Sequence, residues 1–283
     1  VAMTPFSREP LSLTTELFDV LVIGGGINGA AVAWDTAMRG LKTVLVERAD
    51  FGGAASAGCF KIAHGGLRYL QHCDIARLKE SVEEQRLLRR SAPHLIHPLP
   101  FLIPCYGWGM KSKAALRFAL SFYEKLVKDR NHGVDSYHIL GRHQVLSPEQ
   151  CLKIAPALDV RGLSGGVVYY DCQMSNCERL TLSVVLSACA AGAKACNYLE
   201  AVRFVKSEAP NAREQIDSVI VRDRLDQREF RIRAKVVVNA GGPWTKVVRS
   251  LAYEQGDSRK DEFLRSIVHS KGIQLVSRQF VKG

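Results

Sequence analysis

The chain has 283 residues, of which 47% are hydrophobic and 24% charged, the proportions of an ordinary globular protein. This composition excludes a disordered chain, a collagen-like chain and a disulfide-rich miniprotein, and the length allows a sizeable core. Lys and Arg number 39 against 28 Asp and Glu, so the formal net charge is +11. A positive field favours anionic partners (a phosphorylated ligand, a nucleic acid or an acidic membrane surface) without choosing among them.

Cysteine spacing and hydropathy limit the remaining classes. The eight cysteines, at 59, 73, 105, 151, 172, 177, 189 and 196, form no C-x-x-C pair. Zinc ligands usually come in such pairs, so we predict no metal site and thiols kept reduced. The first residues lack the apolar core of a signal peptide. No apolar run has the length and continuity of a transmembrane helix, so we expect a cytoplasmic protein.

Hydrophobic periodicity and turn residues predict the elements in chain order. Residues 1–17 read as a flexible lead-in, and 18–23, 27–39 and 42–47 as a strand, a helix and a strand. The later predicted helices are 74–90, 111–127, 148–154 and 176–191, with a further helix from Pro243. Residues 92–104 are proline-rich and extended, and the later strands are 167–170, 199–205, 216–222, 230–238 and 273–276.

A glycine-rich turn follows the first predicted strand. Gly24, Gly26 and Gly29 fit G-x-G-x-x-G between a strand and a helix, and Glu47 ends the next strand. This context is the dinucleotide-binding fingerprint. Gly24 makes the tight turn, Gly26 lets the backbone approach a pyrophosphate, and Gly29 allows close helix packing. The helix N-terminus, with Ile27 and Asn28, then stabilises the pyrophosphate, and Glu47 accepts hydrogen bonds from a ribose.

The fingerprint alone does not separate NAD from FAD. The chain continues into a Gly/Ala/Ser loop that carries Lys61 and the run His64-Gly65-Gly66, and returns much later to strands ending in VVVNAGGPW. Flavin enzymes commonly interrupt the nucleotide domain in this way. The sequence therefore favours FAD.

At these residues the chain resembles the FAD-dependent glycerol-3-phosphate dehydrogenase family. The segment DVLVIGGGINGAAVAWDTAMRGLKTVLVE resembles the family's FAD fingerprint, and KIAHGGLRYL (residues 61–70) resembles its K-L-I-H-G-G-L-R-Y-L. APHLIHPLPFLIP, VVNAGGPW and KGIQLV are also similar to family segments. The resemblance is densest over residues 18–104 and 234–276.

The chain also departs from the family pattern. The family has a serine-rich loop before the lysine that corresponds to Lys61. This chain keeps a serine there at Ser56, but Cys59 and Phe60 stand where serines are expected. Gln274 stands where the family has a histidine near the substrate, and a glutamine cannot act as a base. Family members continue for a couple of hundred residues more, so we expect a C-terminally truncated relative.

The resemblance implies an α/β fold: a Rossmann-like FAD-binding domain of the glutathione-reductase and D-amino-acid-oxidase type, with an inserted, incomplete α+β substrate cap. Residues 18–104 are then the first part of the FAD domain and 105–175 the cap. Residues 176–252 return to the FAD domain, and 253–283 begin the truncated substrate domain.

The implied reaction is oxidation of sn-glycerol 3-phosphate to dihydroxyacetone phosphate by hydride transfer to FAD, with quinone or another electron acceptor. Arg68 is the first candidate for the substrate phosphate, because its planar fork suits phosphate; the alternative is a surface ion pair. Tyr69 lines the same pocket or packs half-buried. Lys271 and Gln274 complete the substrate set, with a surface lysine as the alternative at 271.

Further residues are expected at the cofactor. Lys61 contacts FAD or is solvated, and His64 orients FAD or acts as a base. Gly65 and Gly66 let the backbone approach the flavin ring. The other cofactor candidates, on strands and turns, are Ser56, Val202, Ala240, Gly241 and Trp244. The Val202 amide would meet the adenine, and core filling is the alternative for Trp244.

Two other hypotheses remain open. One is a flavin amine or hydroxy-acid oxidase of the same fold, and the other is a non-catalytic FAD-binding fragment. The helix at 111–127 is basic and amphipathic, so it either lies on the cytoplasmic face of a membrane or is a core helix with a solvated face. Scattered charges and no recognised module argue against nucleic-acid binding.

Overall fold

The computed structural model describes residues 6–107, 109, 112–207, 215–253 and 272. The strands, in chain order, are β1 (Leu17–Ile23), β2 (Thr43–Val46), β3 (Ile62–Ala63), β4 (Ile96–Tyr106), β5 (Gln144–Leu146), β6 (Leu163–Met174), β7 (Lys194–Cys196), β8 (Leu199–Lys206), β9 (Ile216–Asp223) and β10 (Glu229–Asn239). The α-helices are α1 (Ile27–Met38), α2 (Ile75–Ser91), α3 (Lys113–Leu126), α4 (Pro148–Ile154), α5 (Cys177–Ala190) and α6 (Thr245–Ser250). The predicted strand at 273–276 lies outside the described residues.

The chain divides into two compact units. Of the described residues, the first unit holds 6–59, 177–207, 215–253 and 272, and the second holds 60–107, 109 and 112–176. The first crossing lies between Cys59 and Phe60, whereas the predicted FAD-domain segment ran to residue 104. The reason is that β4 pairs along its whole length with β6, which joins residues before and after 104 in one sheet. The second crossing, at 176/177, lies one residue from the predicted one.

The first unit is built on a six-stranded sheet in the order β7-β2-β1-β10-β9-β8. Strands β7, β2, β1 and β10 are parallel, and β9 and β8 add an antiparallel ribbon. Alternate residues of β1 enter different cores: Val22 packs with α1 and α5, and Leu21 packs with β9 and β10 on the other face. Both faces are covered, which explains why β1 is an unbroken apolar run.

The predicted flexible lead-in is wrong for the residues described. Pro10–Thr14 is a 3-10 helix, and Leu13 is 2% exposed in the core beneath β10 and β9. Arg8 forms an ion pair of 2.7 Å with Asp223 at the end of β9. The segment is ordered because an apolar side chain and a charge both find partners far along the chain.

The second unit contains a four-stranded antiparallel sheet in which β6 pairs with β4 on one side and with β3 and β5 on the other. The proline-rich stretch forms β4, as its predicted extended conformation requires. Pro98, Pro100 and Pro104 are an even number of residues apart, so the N–H groups that they lack all belong to one edge of the strand. The helices begin at side-chain caps, with Asp74 accepting from the Arg77 amide and Ser112 from the Ala115 amide.

Candidate functional site

The glycine turn of the first unit brings β1, α1 and the end of β10 into close approach. Gly24 has φ +111°, and a Cβ there would lie 2.5 Å from the Ala240 carbonyl oxygen. A Cβ on Gly29 would lie 1.8 Å from the Gly24 carbonyl oxygen and 3.2 Å from Ala240 Cβ. The first and third glycines of the fingerprint are therefore required by backbone packing, as predicted for the turn and for close helix approach.

The N-terminus of α1 is reachable from outside. Gly26 is the N-cap, and a Cβ on it would lie 3.2 Å from Ser56 Oγ. Ser56 Oγ accepts a hydrogen bond of 3.0 Å from the Ile27 amide, and Asn28 is exposed. The middle glycine thus leaves a space that a side chain would fill, at the positive end of a 12-residue helix. Amide donors and the helix dipole make this a place for an anion.

Glu47 follows β2 directly and is partly exposed. Its carboxylate accepts hydrogen bonds from the Gly25 amide at 2.7 Å and from the Ala49 amide at 2.8 Å. These bonds fix the carboxylate beside the glycine turn. A carboxylate has about four acceptor positions, so Glu47 retains capacity for ribose hydroxyls.

The second glycine turn ends β10. Ala240 donates its amide to the Ile23 carbonyl at 2.9 Å, and Gly241 donates to Asn239 Oδ1 at 3.1 Å. Trp244 is 41% exposed, and the Arg48 guanidinium lies 5.6 Å from its ring centroid. Core filling, the alternative held open for Trp244, is therefore wrong, because the ring forms a cation–π pair near the surface.

Val202 lies on β8 at an irregularity of the ladder. Ala201 pairs with Val221 and Arg203 with Ile220, so Val202 is the extra residue of a β-bulge. Bulges interrupt the regular pairing and occur often beside functional sites. This geometry is compatible with the backbone contact predicted for Val202 and does not by itself assign a ligand.

In the second unit, a hydrogen-bond network holds the His64-Gly65-Gly66 turn. Asp171, on β6, accepts from the Gly65 amide at 2.7 Å and from Gln85 Nε2. Gln85 also donates to the Ala63 carbonyl at 2.6 Å, and the Tyr123 hydroxyl donates to the Gly65 carbonyl at 3.1 Å. The turn is thus fixed from α2, α3 and β6 at once.

The same network accounts for the two glycines. A Cβ on Gly65 would lie 2.6 Å from the Tyr123 hydroxyl, and one on Gly66 would lie 2.9 Å from Ser81 Cβ. Gly66 also has φ +71°, a conformation that favours glycine. Packing inside the unit explains both glycines, and their approach to a flavin stays a prediction.

Asp171 and Gln85 are residues that the sequence did not reveal. Burial raises the pKa of Asp171 above its ordinary value, and the bonds from Gly65 and Gln85 oppose that shift. The available signal was an acidic residue within the apolar strand VVYYDC, because a buried charge must have partners. Burial likewise raises the pKa of Tyr123 to about 12, so its hydroxyl keeps its proton.

The other candidate residues of the second unit differ in position. Lys61 is exposed with φ +58°, and its carbonyl accepts from the Met174 amide at 2.7 Å. His64 and Tyr69 stack edge to face, with centroids 6.4 Å apart, and both line an open cavity of about 330 Å³. Glu80 and Glu84 also line this cavity beside Arg77. The cavity is therefore richer in carboxylates than in cations, which disfavours a phosphate there.

Arg68 lies in the 3-10 helix Leu67–His72 and is exposed. Within the part of the chain that the structure describes, no carboxylate forms an ion pair with it, so the surface ion pair held open as an alternative is not observed there. Lys271 and Gln274 lie outside the described residues. The glycine turn of the first unit thus gathers Gly24, Gly26, Ile27, Gly29, Glu47, Ser56 and Ala240 around one helix N-terminus.

The described residues hold neither a group of metal ligands nor a membrane-spanning helix. No three His, Cys, Asp or Glu side chains there are grouped so that they could hold a metal ion. Over the same residues, no helix has the length and apolar character needed to cross a bilayer.

The parallel strands, the glycine turn at a helix N-terminus and the acidic residue after β2 define a Rossmann-type dinucleotide-binding protein. A profile of the family described as FAD dependent oxidoreductase matches residues 19–279. The chain belongs to this family. Its cofactor is FAD, as predicted, and the predicted fold class and oxidoreductase class are confirmed.

Curated relatives of this chain include three dehydrogenases. The glycerol-3-phosphate dehydrogenase of Synechocystis sp. is 36% identical over 265 residues, covering 93% of this chain and 46% of that protein. The mitochondrial glycerol-3-phosphate dehydrogenase of Homo sapiens is 38% identical, covering 87% and 35%. The aerobic glycerol-3-phosphate dehydrogenase of Staphylococcus aureus is 33% identical, covering 99% and 47%. The chain therefore spans less than half the length of each, and the predicted resemblance is confirmed.

Solved structures agree. The glycerol-3-phosphate dehydrogenase of Bacillus halodurans, complexed with FAD, matches with a TM-score of 0.62 and 28% identity over 86% of this chain and 38% of that one. The L-proline dehydrogenase of P. horikoshii matches with a TM-score of 0.61 over 84% of this chain and 56% of that one. At 19% identity, the second likeness shows the fold alone.

Proposed function

We propose that this chain binds FAD and forms the nucleotide-binding part of an enzyme that oxidises sn-glycerol 3-phosphate to dihydroxyacetone phosphate, a step of glycerol metabolism. The observation that carries the proposal is the α1 N-terminus, open beside Gly26 and bordered by a fixed Glu47 carboxylate. Bound FAD supplies the two-electron acceptor for the hydride of the carbinol carbon.

The residues of the first unit divide the work of holding the cofactor. Gly26, Ile27 and Asn28 present the helix N-terminus to the pyrophosphate, with Ser56 beside them. Glu47 accepts hydrogen bonds from the ribose, and the bulged backbone at Val202 meets the adenine. Ala240, Gly241 and Trp244 complete the border at the end of β10.

The candidate residues of the second unit are assigned roles of position and charge in the reaction. The network of Asp171 and Gln85 holds the His64-Gly65-Gly66 turn, and we assign His64 to orienting the cofactor rather than to accepting the substrate proton. Lys61 is a further cofactor contact. Arg68, exposed and without a carboxylate partner in the described residues, binds the substrate phosphate by its guanidinium fork. Tyr69 packs beside His64, and Lys271 and Gln274 complete the substrate set.

The first experiment is a visible spectrum after the purified chain is mixed with FAD and desalted. We expect retained flavin absorbance, and about tenfold or greater weakening of FAD affinity in Glu47→Ala, because a charge-assisted hydrogen bond is lost. Glu229→Ala, which removes an exposed glutamate on β10, is the matched control and retains affinity. A chain that retains no flavin would contradict the cofactor site.

The second experiment tests the substrate. Glycerol 3-phosphate, added without oxygen, is expected to bleach the bound flavin, and Arg68→Ala raises the substrate concentration needed. Arg161→Ala, which removes an exposed arginine paired with Asp159, is the control. Flavin that is retained but stays oxidised would remove the substrate assignment from this chain and leave an FAD-binding fragment. Bleaching by amino acids or hydroxy acids instead would establish an oxidase of the same fold.

We further propose that the protein is cytoplasmic and meets the membrane surface through α3, where a quinone would take the electrons. Arg117, Phe118, Phe122 and Lys125 recur on one exposed face of this helix, with Phe118 76% and Phe122 45% exposed. Exposed aromatic rings between cations suit the surface of an anionic bilayer. Leu120 and Tyr123, on the other face, are buried.

Vesicle flotation tests this surface. We expect binding to vesicles of phosphatidylglycerol and phosphatidylcholine, and a loss of about tenfold or more in the double variant Phe118→Ser, Phe122→Ser. Tyr137→Ser removes a ring that is 88% exposed elsewhere in the second unit, and leaves binding unchanged. Equal binding by the double variant and the control would refute the proposal.

A further inference from the structure

Two cysteines of the first unit lie side by side. The sulfur atoms of Cys59 and Cys177 are 3.3 Å apart, which is closer than ordinary packing of nonbonded carbon atoms. Cys59 is half-buried, and Cys177, the first residue of α5, is 3% exposed. A disulfide has its sulfurs about 2.05 Å apart, so a small approach of the two side chains would bring them to bonding distance.

The two cysteines lie at the two points where the chain passes between the units. Cys59 is the residue at which the chain leaves the first unit, and Cys177 is the residue at which it returns. A bond between them would close a loop that contains the whole of residues 60–176. It would also tie α5 to the turn that carries Ser56, whose hydroxyl is bonded to the Ile27 amide at the start of α1.

We propose that Cys59 and Cys177 are a redox modification site that forms a reversible disulfide with small-molecule disulfides as oxidant. The Cys59 thiolate attacks one sulfur of the oxidant, R–S–S–R, forming a mixed disulfide and releasing the first R–S⁻. The Cys177 thiolate then attacks Cys59 Sγ and releases the second R–S⁻. The two cysteines lose two electrons and two protons, and the oxidant becomes two R–SH.

Other thiols of the chain are poor competitors for this chemistry. Burial raises the pKa of Cys172 to about 12 and that of Cys196 to about 11, so their thiolates are scarce near neutral pH. Cys73 is exposed and can form mixed disulfides with the oxidant. It therefore serves as a control for simple surface modification.

The test is peptide mapping of the full chain after equilibration with oxidised glutathione. We expect one intramolecular disulfide that joins tryptic peptides 49–61 and 162–179, with the loss of two hydrogen masses. Peptide 162–179 also carries Cys172, so fragment spectra must place the bond on Cys177. Cys177→Ala is expected to abolish the crosslink, whereas Cys172→Ala and Cys73→Ala retain it.

A second readout comes from unfolding. The oxidised chain is expected to unfold at a higher urea concentration than the reduced chain, because the bond closes a long loop in the unfolded state, and dithiothreitol restores the reduced value. A crosslink between chains, glutathione held on Cys59 without a bond to Cys177, or a crosslink that persists in Cys177→Ala would each overturn the proposal. The mapping of the unmodified sequence needs no variant, so a variant that fails to fold does not affect it.

Discussion

The buried carboxylate of Asp171 gives the sharpest test of the second unit. Asp171→Ala removes an acceptor from two donors, the Gly65 amide at 2.7 Å and Gln85 Nε2. A buried donor left without a partner costs about 1–3 kcal/mol, which gives about 2–6 kcal/mol for the two. Removing the carboxylate also relieves its burial, the main cause of its raised pKa. We therefore expect a net loss of about 2–4 kcal/mol in the free energy of unfolding.

Urea denaturation measures this loss, with Asp159→Ala as the matched control. Asp159 is exposed and pairs with Arg161 two residues away, so its removal is expected to leave the unfolding midpoint unchanged. The reasoning is refuted if Asp171→Ala unfolds at the same urea concentration as Asp159→Ala. A midpoint shared by the two variants would mean that water replaces the carboxylate without cost.

The pH dependence of the same group supplies an independent check. Because burial raises the pKa of Asp171 above the ordinary 3.8, the group favours folding most below that value, where it is protonated in both states. This contribution is lost as pH rises through the folded pKa. The stability of the wild type relative to Asp171→Asn is therefore expected to fall as the pH rises above that ordinary value. A difference that stays constant would contradict the raised pKa.

Four further substitutions test the packing. Leu13→Ala is expected to lower the free energy of unfolding by about 2–5 kcal/mol. Leu11→Ala, at a side chain 52% exposed, is the control and changes the urea midpoint little. Equal effects of the two variants would support the flexible lead-in that the sequence predicted. Gly29→Ala places a Cβ 1.8 Å from the Gly24 carbonyl oxygen and is expected to abolish FAD retention. Gly58→Ala is the control and retains FAD, because its Cβ would lie 3.5 Å from the nearest neighbouring atom. Ser56→Ala removes the acceptor of the Ile27 amide and is expected to lower the free energy of unfolding, measured by urea denaturation, by about 1 kcal/mol. An unchanged free energy would mean that water satisfies the amide. Tyr123→Phe removes the hydrogen bond to the Gly65 carbonyl and is expected to lower the free energy of unfolding by about 0.5–1.5 kcal/mol. The loss is expected to be equal at pH 6 and pH 9, because the pKa of Tyr123 is about 12. A loss that depends on pH would contradict that pKa.

Local signals predicted much of the first unit. The apolar runs of β1 and β10, the glycines after β1 and the acidic residue after β2 are each encoded within a few neighbouring residues. In the second unit, the caps at Asp74 and Ser112 are also local features, because a cap bonds an amide three residues away. Predicted and observed boundaries of these elements therefore agree within two residues.

Long-range partners explain what the sequence did not predict. Leu13 was predicted to belong to a flexible lead-in, but residues of β9 and β10 provide a core for its side chain. Strand β6 runs over Leu163–Met174, well beyond the predicted 167–170, because β4 pairs along its length. Strand β7 has three residues, too few for a periodic pattern.

The sequence by itself determined the class of the protein: a βαβ unit with a glycine turn, an acidic residue after its second strand and FAD as the cofactor. Tertiary structure alone decided which side chains meet: Asp171 with the Gly65 amide, Tyr123 with the Gly65 carbonyl, and Cys59 with Cys177. The physical reason is distance along the chain. A helix cap or a glycine turn is fixed by neighbours in sequence, whereas a buried carboxylate finds its donors 86 and 106 residues away, where only the completed fold brings them.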